Sequence, residues 1–277
     1  MTTLTPELSE LGKKATYDSQ YNPDKLFPIP RKANRDEIGV PDPLPFFGYD
    51  LWNHYEVSWL NQKGKPIVAL AEIIYGCDTH SIIESKSLKL YFNSFNNTPF
   101  QNEKMLEAII KKDIELRIGG TVHVKIIPLD KIRDDKIFAG FSGECIDHLD
   151  IECTTYSVDK SLLKVENTIV QETLFSNLLK ANCLVTHQPD WASVQISYKG
   201  KKLNRENLLK YLVSFRNHNE FHEQCIERIF MDILQICKPE ELTVYGRFTR
   251  RGGLDINPYR STKKTIENIQ NLRLFRQ

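Results

Sequence analysis

The sequence predicts an α+β fold made of two related modules in tandem. Two observations carry that expectation. Strand-like and helix-like periodicities succeed one another in the same order in each half of the chain, and the periodicity between the halves, near Cys153–Asn167, is poor. The modules are accordingly placed at residues 1–155 and 156–277.

Between Tyr21 and Phe47 stand Pro23, Pro28, Pro30, Pro41, Pro43 and Pro45, a density that excludes a long helix or a central strand and implies an extended arm over a core. Strands are expected at Glu56–Leu60 and Pro66–Ile74, separated by a turn containing Gly64. Ser87–Phe92 alternates, with Leu88, Leu90 and Phe92 on one face and Ser87, Lys89 and Tyr91 on the other, and reads as a further strand. Met105, Leu106, Ile109 and Ile110 give Glu103–Arg117 a helical period that stops at Gly119-Gly120, and Thr121–Ile127 alternates again. In the second half Val194, Ile196 and Tyr198 mark a strand ending in a Lys199-Gly200-Lys201 turn. Helices follow near Arg205–Phe215 and Glu220–Cys237, then a strand at Leu242–Phe248.

Composition excludes several classes. Lys and Arg total 37 against 36 Asp and Glu, so no global field draws the chain to nucleic acid or anionic lipid. The first residues carry no apolar run of signal-peptide length, and no run suits a bilayer span, so the expected setting is soluble and cytoplasmic. Six cysteines (77, 145, 153, 183, 225 and 237) include no CxxC pair, and no Cys/His cluster has zinc-site spacing. They read as reduced thiols, most of them core packing.

Four segments carry chemistry. In the stretch from Cys183 to Trp191, the turn signal Gln188-Pro189-Asp190-Trp191 can fold Asp190 back toward Cys183. A thiol that attacks an electrophilic carbon needs such an acid to protonate the heteroatom. A buried cysteine before a surface turn explains the same spacing, and His187 offers a rival Cys–His hydrolase dyad. In Ile82–Asn97, Lys86 is a point charge suited to phosphate, on what alternation alone would make an ordinary amphipathic strand. In Phe221-His222-Glu223, a glutamate in the first turn of a helix is favoured by the macrodipole whatever else it does. Arg250-Arg251-Gly252 forms a basic, backbone-open loop able to hold phosphate, or simply a solvated one.

Together these segments resemble the nitrile reductases of the queuosine pathway, in their long two-module form. The matching features are Cys183 with QPDW, the ESKS-x-K-x-Y signature from Glu84 to Tyr91, FHE at Phe221–Glu223, and Arg251-Gly252. The arm from Tyr21 to Arg31 and the stretch from Pro45 to Pro66 extend the resemblance over nearly the whole chain. It implies that Cys183 adds to the nitrile of 7-cyano-7-deazaguanine to form a thioimidate while Asp190 donates the proton. It places Ile83, Glu84, Ser85, His222 and Glu223 around the deazapurine, and Ser85, Lys86, Arg251 and Gly252 around NADPH, with no metal. No GxGxxG follows a strand, so NADPH rests on the resemblance only. Cys77 precedes ESKS without a QPDW after it and reads as structural. The implied fold is two tunnelling-fold modules like those of GTP cyclohydrolase, each an antiparallel sheet backed by two helices, assembled as a homodimer. The resemblance further implies an enzyme that serves tRNA modification without touching nucleic acid or membrane. The rival readings are the hydrolase dyad, an inactive purine-binding module that retains Glu223, and a zinc-dependent cyclohydrolase.

Overall fold

The computed structural model describes residues 8–9, 12–13, 17–129, 140–264 and 271–277. Its regular elements are β1 (Pro28–Pro30), α1 (Arg31–Glu37), β2 (Phe47–Leu60), β3 (Pro66–Gly76), β4 (Ser81–Ile83), α2 (Ser85–Asn93), α3 (Glu103–Ile118) and β5 (Val122–Pro128). They continue as β6 (Glu144–Cys145), β7 (Val165–Asn182), β8 (Pro189–Leu203), α4 (Arg205–Ser214), α5 (His222–Cys237), β9 (Glu241–Phe248) and β10 (Leu254–Ser261). This is a mixed α+β chain built mostly on antiparallel sheet.

By packing, the chain divides into two compact units. The first comprises Met1–Asn34, Asp50–Asp135 and Arg250–Asp255, and the second Arg35–Tyr49, Lys136–Thr249 and Ile256–Gln277. The expected cut at residue 155 follows the recurrence of strand and helix periodicity along the chain. The packing units interleave along the chain, because short stretches near residues 35–49 and 250–255 pack away from their sequence neighbours.

In the first unit the strand order is β5-β3-β2, and β3 pairs antiparallel with β5 from Ala69↔Pro128 to Tyr75↔Val122. Helix α3 packs on β5 through Leu106, Ile110, Ile114 and Ile118, all buried at helical spacing. Asn102 caps its start by accepting from Met105 N, and Gly119 ends it at φ 71°, a backbone state that glycine adopts without strain. The proline-rich arm is less extended than expected. Its proline-free interval after Pro30 forms α1, while β1 pairs with β4 (Ile29↔Ile82). Tyr21 of the arm and Tyr91 of α2 both donate 2.6 Å hydrogen bonds to Asp113 Oδ2, pinning the arm beside Phe95 and Phe100.

Ser87–Phe92 is not a strand; it lies inside α2. Leu88, Tyr91, Phe92 and Phe95, buried at i, i+3, i+4 and i+7, form the apolar stripe, and the period-2 pattern is incidental to it.

The second unit orders its strands β10-β9-β8-β7-β6, with only the β6–β7 pair parallel. Helix α5 packs on β9 and β8, and α4 packs on β7. The approach of α5 is close enough that a Cβ at Gly246 would stand 2.5 Å from Ile226 Cδ1. Lys199-Gly200-Lys201 is strand, not turn. β8 runs on to Leu203, and Gly200 leaves room for the Pro239 backbone, whose Cα would sit 2.9 Å from a Cβ there. The Gln188–Trp191 turn is displaced too: the turn is Leu184–Thr186, and Pro189–Trp191 already belong to β8. Beneath the sheet, buried Glu227 accepts from both Arg35 (Nη2 at 2.7 Å) and Arg260 (Nε at 3.0 Å). Among the described residues no helix is long and apolar enough to cross a membrane.

Candidate functional site

The second unit holds Cys183 and Asp190. Cys183 follows the last residue of β7 and is 4 % exposed; Asp190 is the second residue of β8 and 6 % exposed. Cross-strand pairing sets their relation: Ala181↔Asp190 and Asn182↔Pro189 close the ladder. Beyond it Cys183 N donates to Gln188 O (2.9 Å) and His187 N donates to Cys183 O (3.1 Å), closing a tight connection.

A second segment fixes this end of β7 from the side. Asn182 N donates to His218 O (2.8 Å), and Glu220 N donates to Asn182 O (3.0 Å). The stretch from His218 to Glu220 therefore runs beside the residue preceding Cys183. It leads directly into α5, whose first residue, His222, brings Nε2 to 3.3 Å from Asp190 Oδ2. The His222 ring stacks on Phe248, centroids 4.0 Å apart and planes 13° apart, so its direction is fixed by packing. Glu223 follows on the same turn and is 3 % exposed. A glutamate serving only the helix dipole gains nothing from such burial.

Polar groups accumulate here. Among the described residues, Thr186 Oγ1, Glu220 Oε2 and His222 Nδ1 are among the buried side-chain atoms without a hydrogen-bond partner, and His218 Nε2 lies 3.2 Å from Glu220 Oε1. These atoms belong to the connection after Cys183 or to the His218–His222 stretch. Since buried polar atoms are nearly always satisfied, such a local group marks a place built for a polar ligand. Glu220 itself accepts from Arg228 Nε at 2.6 Å. Burial drives the Cys225 thiol well above its ordinary pKa, with the Glu220 charge adding to the effect, so Cys225 stays a neutral thiol.

The rival dyad finds no support in this arrangement. His187 is exposed with φ 55°, whereas Cys183 is buried, and the imidazole that meets the acid is His222. Sequence reasoning placed His222 and Asp190 in one pocket without foreseeing their contact, since 32 residues and a helix start separate them. Cys77 is buried, as a packing cysteine would be. No group of three or more His, Cys, Asp or Glu with metal-holding geometry occurs among the described residues.

The first unit gathers the other predicted residues. Ile83 ends β4 and is 1 % exposed. Glu84 is the N-cap of α2: its carboxylate accepts from Lys86 N (2.7 Å) and Ser87 N (2.8 Å), and Ser85 Oγ donates to it at 3.3 Å. Burial raises the Glu84 pKa against the lowering effect of those bonds. The start of α2 is thus already capped by an anion of the chain itself. A phosphate near it must be held by side chains instead.

The loop carrying Arg251 and Gly252 lies against the same helix. Gly252 (φ 61°) and Gly253 (φ 79°) take left-handed backbone, and a Cβ on Gly252 would stand 3.3 Å from Lys89 Nζ. Arg250 lies over the Tyr55 ring, 4.4 Å from its centroid. Lysines 86 and 89, two arginines and two glycines in the first unit therefore make a basic, side-chain-poor surface that fits the phosphates of a dinucleotide.

Comparison with known proteins agrees with this chemistry. The family model described as "Nitrile reductase, 7-cyano-7-deazaguanine-reductase N-term" matches residues 17–126, and one described as "QueF-like protein" matches residues 189–267. The chain is 60% identical over 270 residues to the NADPH-dependent 7-cyano-7-deazaguanine reductase of Legionella pneumophila, covering 97% of this chain and 95% of the relative. Proteins of the same name from Cupriavidus metallidurans and Ralstonia nicotianae are 54% and 52% identical over 274 residues, each covering 97% of this chain and 99% of the relative.

Proposed function

The chain belongs to the family of NADPH-dependent 7-cyano-7-deazaguanine reductases, and from that premise we propose how its own residues carry out the reaction. It reduces the nitrile of 7-cyano-7-deazaguanine to the aminomethyl group in queuosine biosynthesis. One nitrile, two NADPH and two protons give one amine and two NADP⁺. The observation that supports this reading best is the buried Cys183 and Asp190 at one strand end, with the His222 imidazole against the acid.

Cys183 adds to the nitrile carbon, forming a C–S bond, while Asp190 protonates the nitrogen and recovers the thiol proton. His222, stacked on Phe248, holds Asp190 Oδ2 in place for this transfer. NADPH, when bound, supplies the hydride for each of the two reductions. After the first, Cys183 departs as a carbon–nitrogen double bond forms, and Asp190 again stands by the nitrogen. Glu223 accepts from the ring N–H and exocyclic amine of the base, a bidentate match that rejects bases lacking those donors. Ile83, Glu84 and Ser85 border the base; Ser85, Lys86, Arg251 and Gly252 hold the cofactor.

The finer architecture belongs to the same proposal. Each half, 1–155 and 156–277, is a tunnelling-fold module, two chains pair as a homodimer, and the enzyme works in the cytoplasm on a free base. The test is to add the nitrile base to protein and NADPH and follow absorbance at the nicotinamide band together with product mass. Consumption of two NADPH per aminomethyl product supports the reading. Product formation without NADPH loss would return the hydrolase.

A further inference from the structure

The glycine-rich loop of the first unit seats more than a cofactor-binding cation. Lys89, one turn into α2, donates from Nζ to Glu56 Oε2 at 3.2 Å. Consecutive glycines seat the two members of this pair. A Cβ on Gly252 would lie 3.2 Å from Lys89 Cδ, and a Cβ on Gly253 would lie 2.5 Å from Glu56 Cδ. The Gly253 carbonyl is in turn fixed by Tyr55 N at 2.9 Å. Loop, lysine and glutamate are therefore one assembly, with the carboxylate on the surface that is otherwise basic.

We propose that Glu56 tunes cofactor affinity by neutralising Lys89 and opposing the cofactor's phosphate groups. This rests on the cofactor reading given above. Side-chain exposure of 35 % for Lys89 and 57 % for Glu56 makes the pair an exposed one. Exposed pairs hold weakly, so a phosphate can displace the carboxylate without disturbing the fold. The other charges near the loop are its own Arg250, engaged on Tyr55, and Arg251, with Asp255, which accepts from Tyr55 Oη at 2.7 Å; Lys86 on α2 donates from Nζ to Lys13 O at 2.7 Å. His54 is buried and held neutral, its pKa pushed down to about 4 chiefly by burial, so it does not screen the pair near neutral pH. Glu56 is thus the acid seated on the loop glycines, and its charge acts on a phosphate at full strength when salt is low.

The test is equilibrium binding of NADPH and NADH to the full chain, without substrate, by tryptophan fluorescence at low and at 0.5 M salt, where the Debye length is about 30 Å and roughly 4 Å respectively. Glu56→Gln should bind NADPH about three- to tenfold more tightly at low salt, with the gain fading at high salt. A gain confined to NADPH assigns the effect to the 2′-phosphate; an equal gain for NADH assigns it to the shared diphosphate. Either supports the proposal, given an unchanged melting temperature. If the parent binds NADPH and Glu56→Gln binds it no more tightly, the proposal fails alone. If the parent binds neither nucleotide, the cofactor reading fails with it.

Discussion

Replacing Asp190 by Asn is the most discriminating change at the proposed reaction centre, because it removes the transferable proton and little else. The amide matches the carboxyl in shape and keeps an oxygen toward His222 Nε2, which lies 3.3 Å away. The cross-strand pairing Ala181↔Asp190 uses only backbone and is unaffected. Positioned proton transfer is worth about two to four decades, or roughly 3–6 kcal/mol at about 1.4 kcal/mol per decade. Turnover should fall by that factor while noncovalent binding of the base changes little. The assay is steady-state NADPH oxidation at saturating base, with calorimetric binding of the base measured beside it in a Cys183→Ala background, where no adduct forms. Turnover within about threefold of the parent would mean that another group supplies the proton, and the acid assignment to Asp190 would be wrong.

Two further outcomes follow from the same geometry. Glu223→Gln sets a donor against a donor on the base, and affinity should weaken by about 1–3 kcal/mol in calorimetry; unchanged affinity would leave Glu223 a helix-start residue only. His54, 2 % exposed, has a folded pKa near 4 against the ordinary 6.5, so the unfolded chain binds its proton more readily. Its contribution is present above pH 6.5 and is lost as pH falls from 6.5 toward 4, amounting to about 2–4 kcal/mol. In His54→Gln the denaturant midpoint should lose that part of its pH slope, and an unaltered slope would contradict the buried neutral imidazole.

Much of this was legible in the sequence, for reasons that also explain the misses. Helix α3 announced itself through the helical spacing of its apolar residues and the Gly119-Gly120 stop after it. Strand β7 did not, because a register shift between Ser176 and Leu179 breaks its alternation midway. Strand β10 carries Pro258 and follows a glycine pair, both of which argue against strand locally. Helix α2 was hidden by a chance period of two, although Leu88, Tyr91, Phe92 and Phe95 already showed helical spacing. At the candidate site, the nearness of Cys183 and Asp190 was readable because a short connection joins them, whereas their roles came from the resemblance. The approach of His222 to Asp190, the capping role of Glu84 and the seating of Lys89 and Glu56 on adjacent glycines were not. Each depends on contacts between segments far apart in sequence, which no local pattern encodes.

The most direct test of the account is the intact mass of the protein after incubation with 7-cyano-7-deazaguanine in the absence of NADPH. The account predicts one added base per chain, mapped by peptide digestion to Cys183, and no adduct on a folded Cys183→Ala variant. An adduct that persists in that variant, or that maps to Cys77 or Cys225 in the parent, would contradict it.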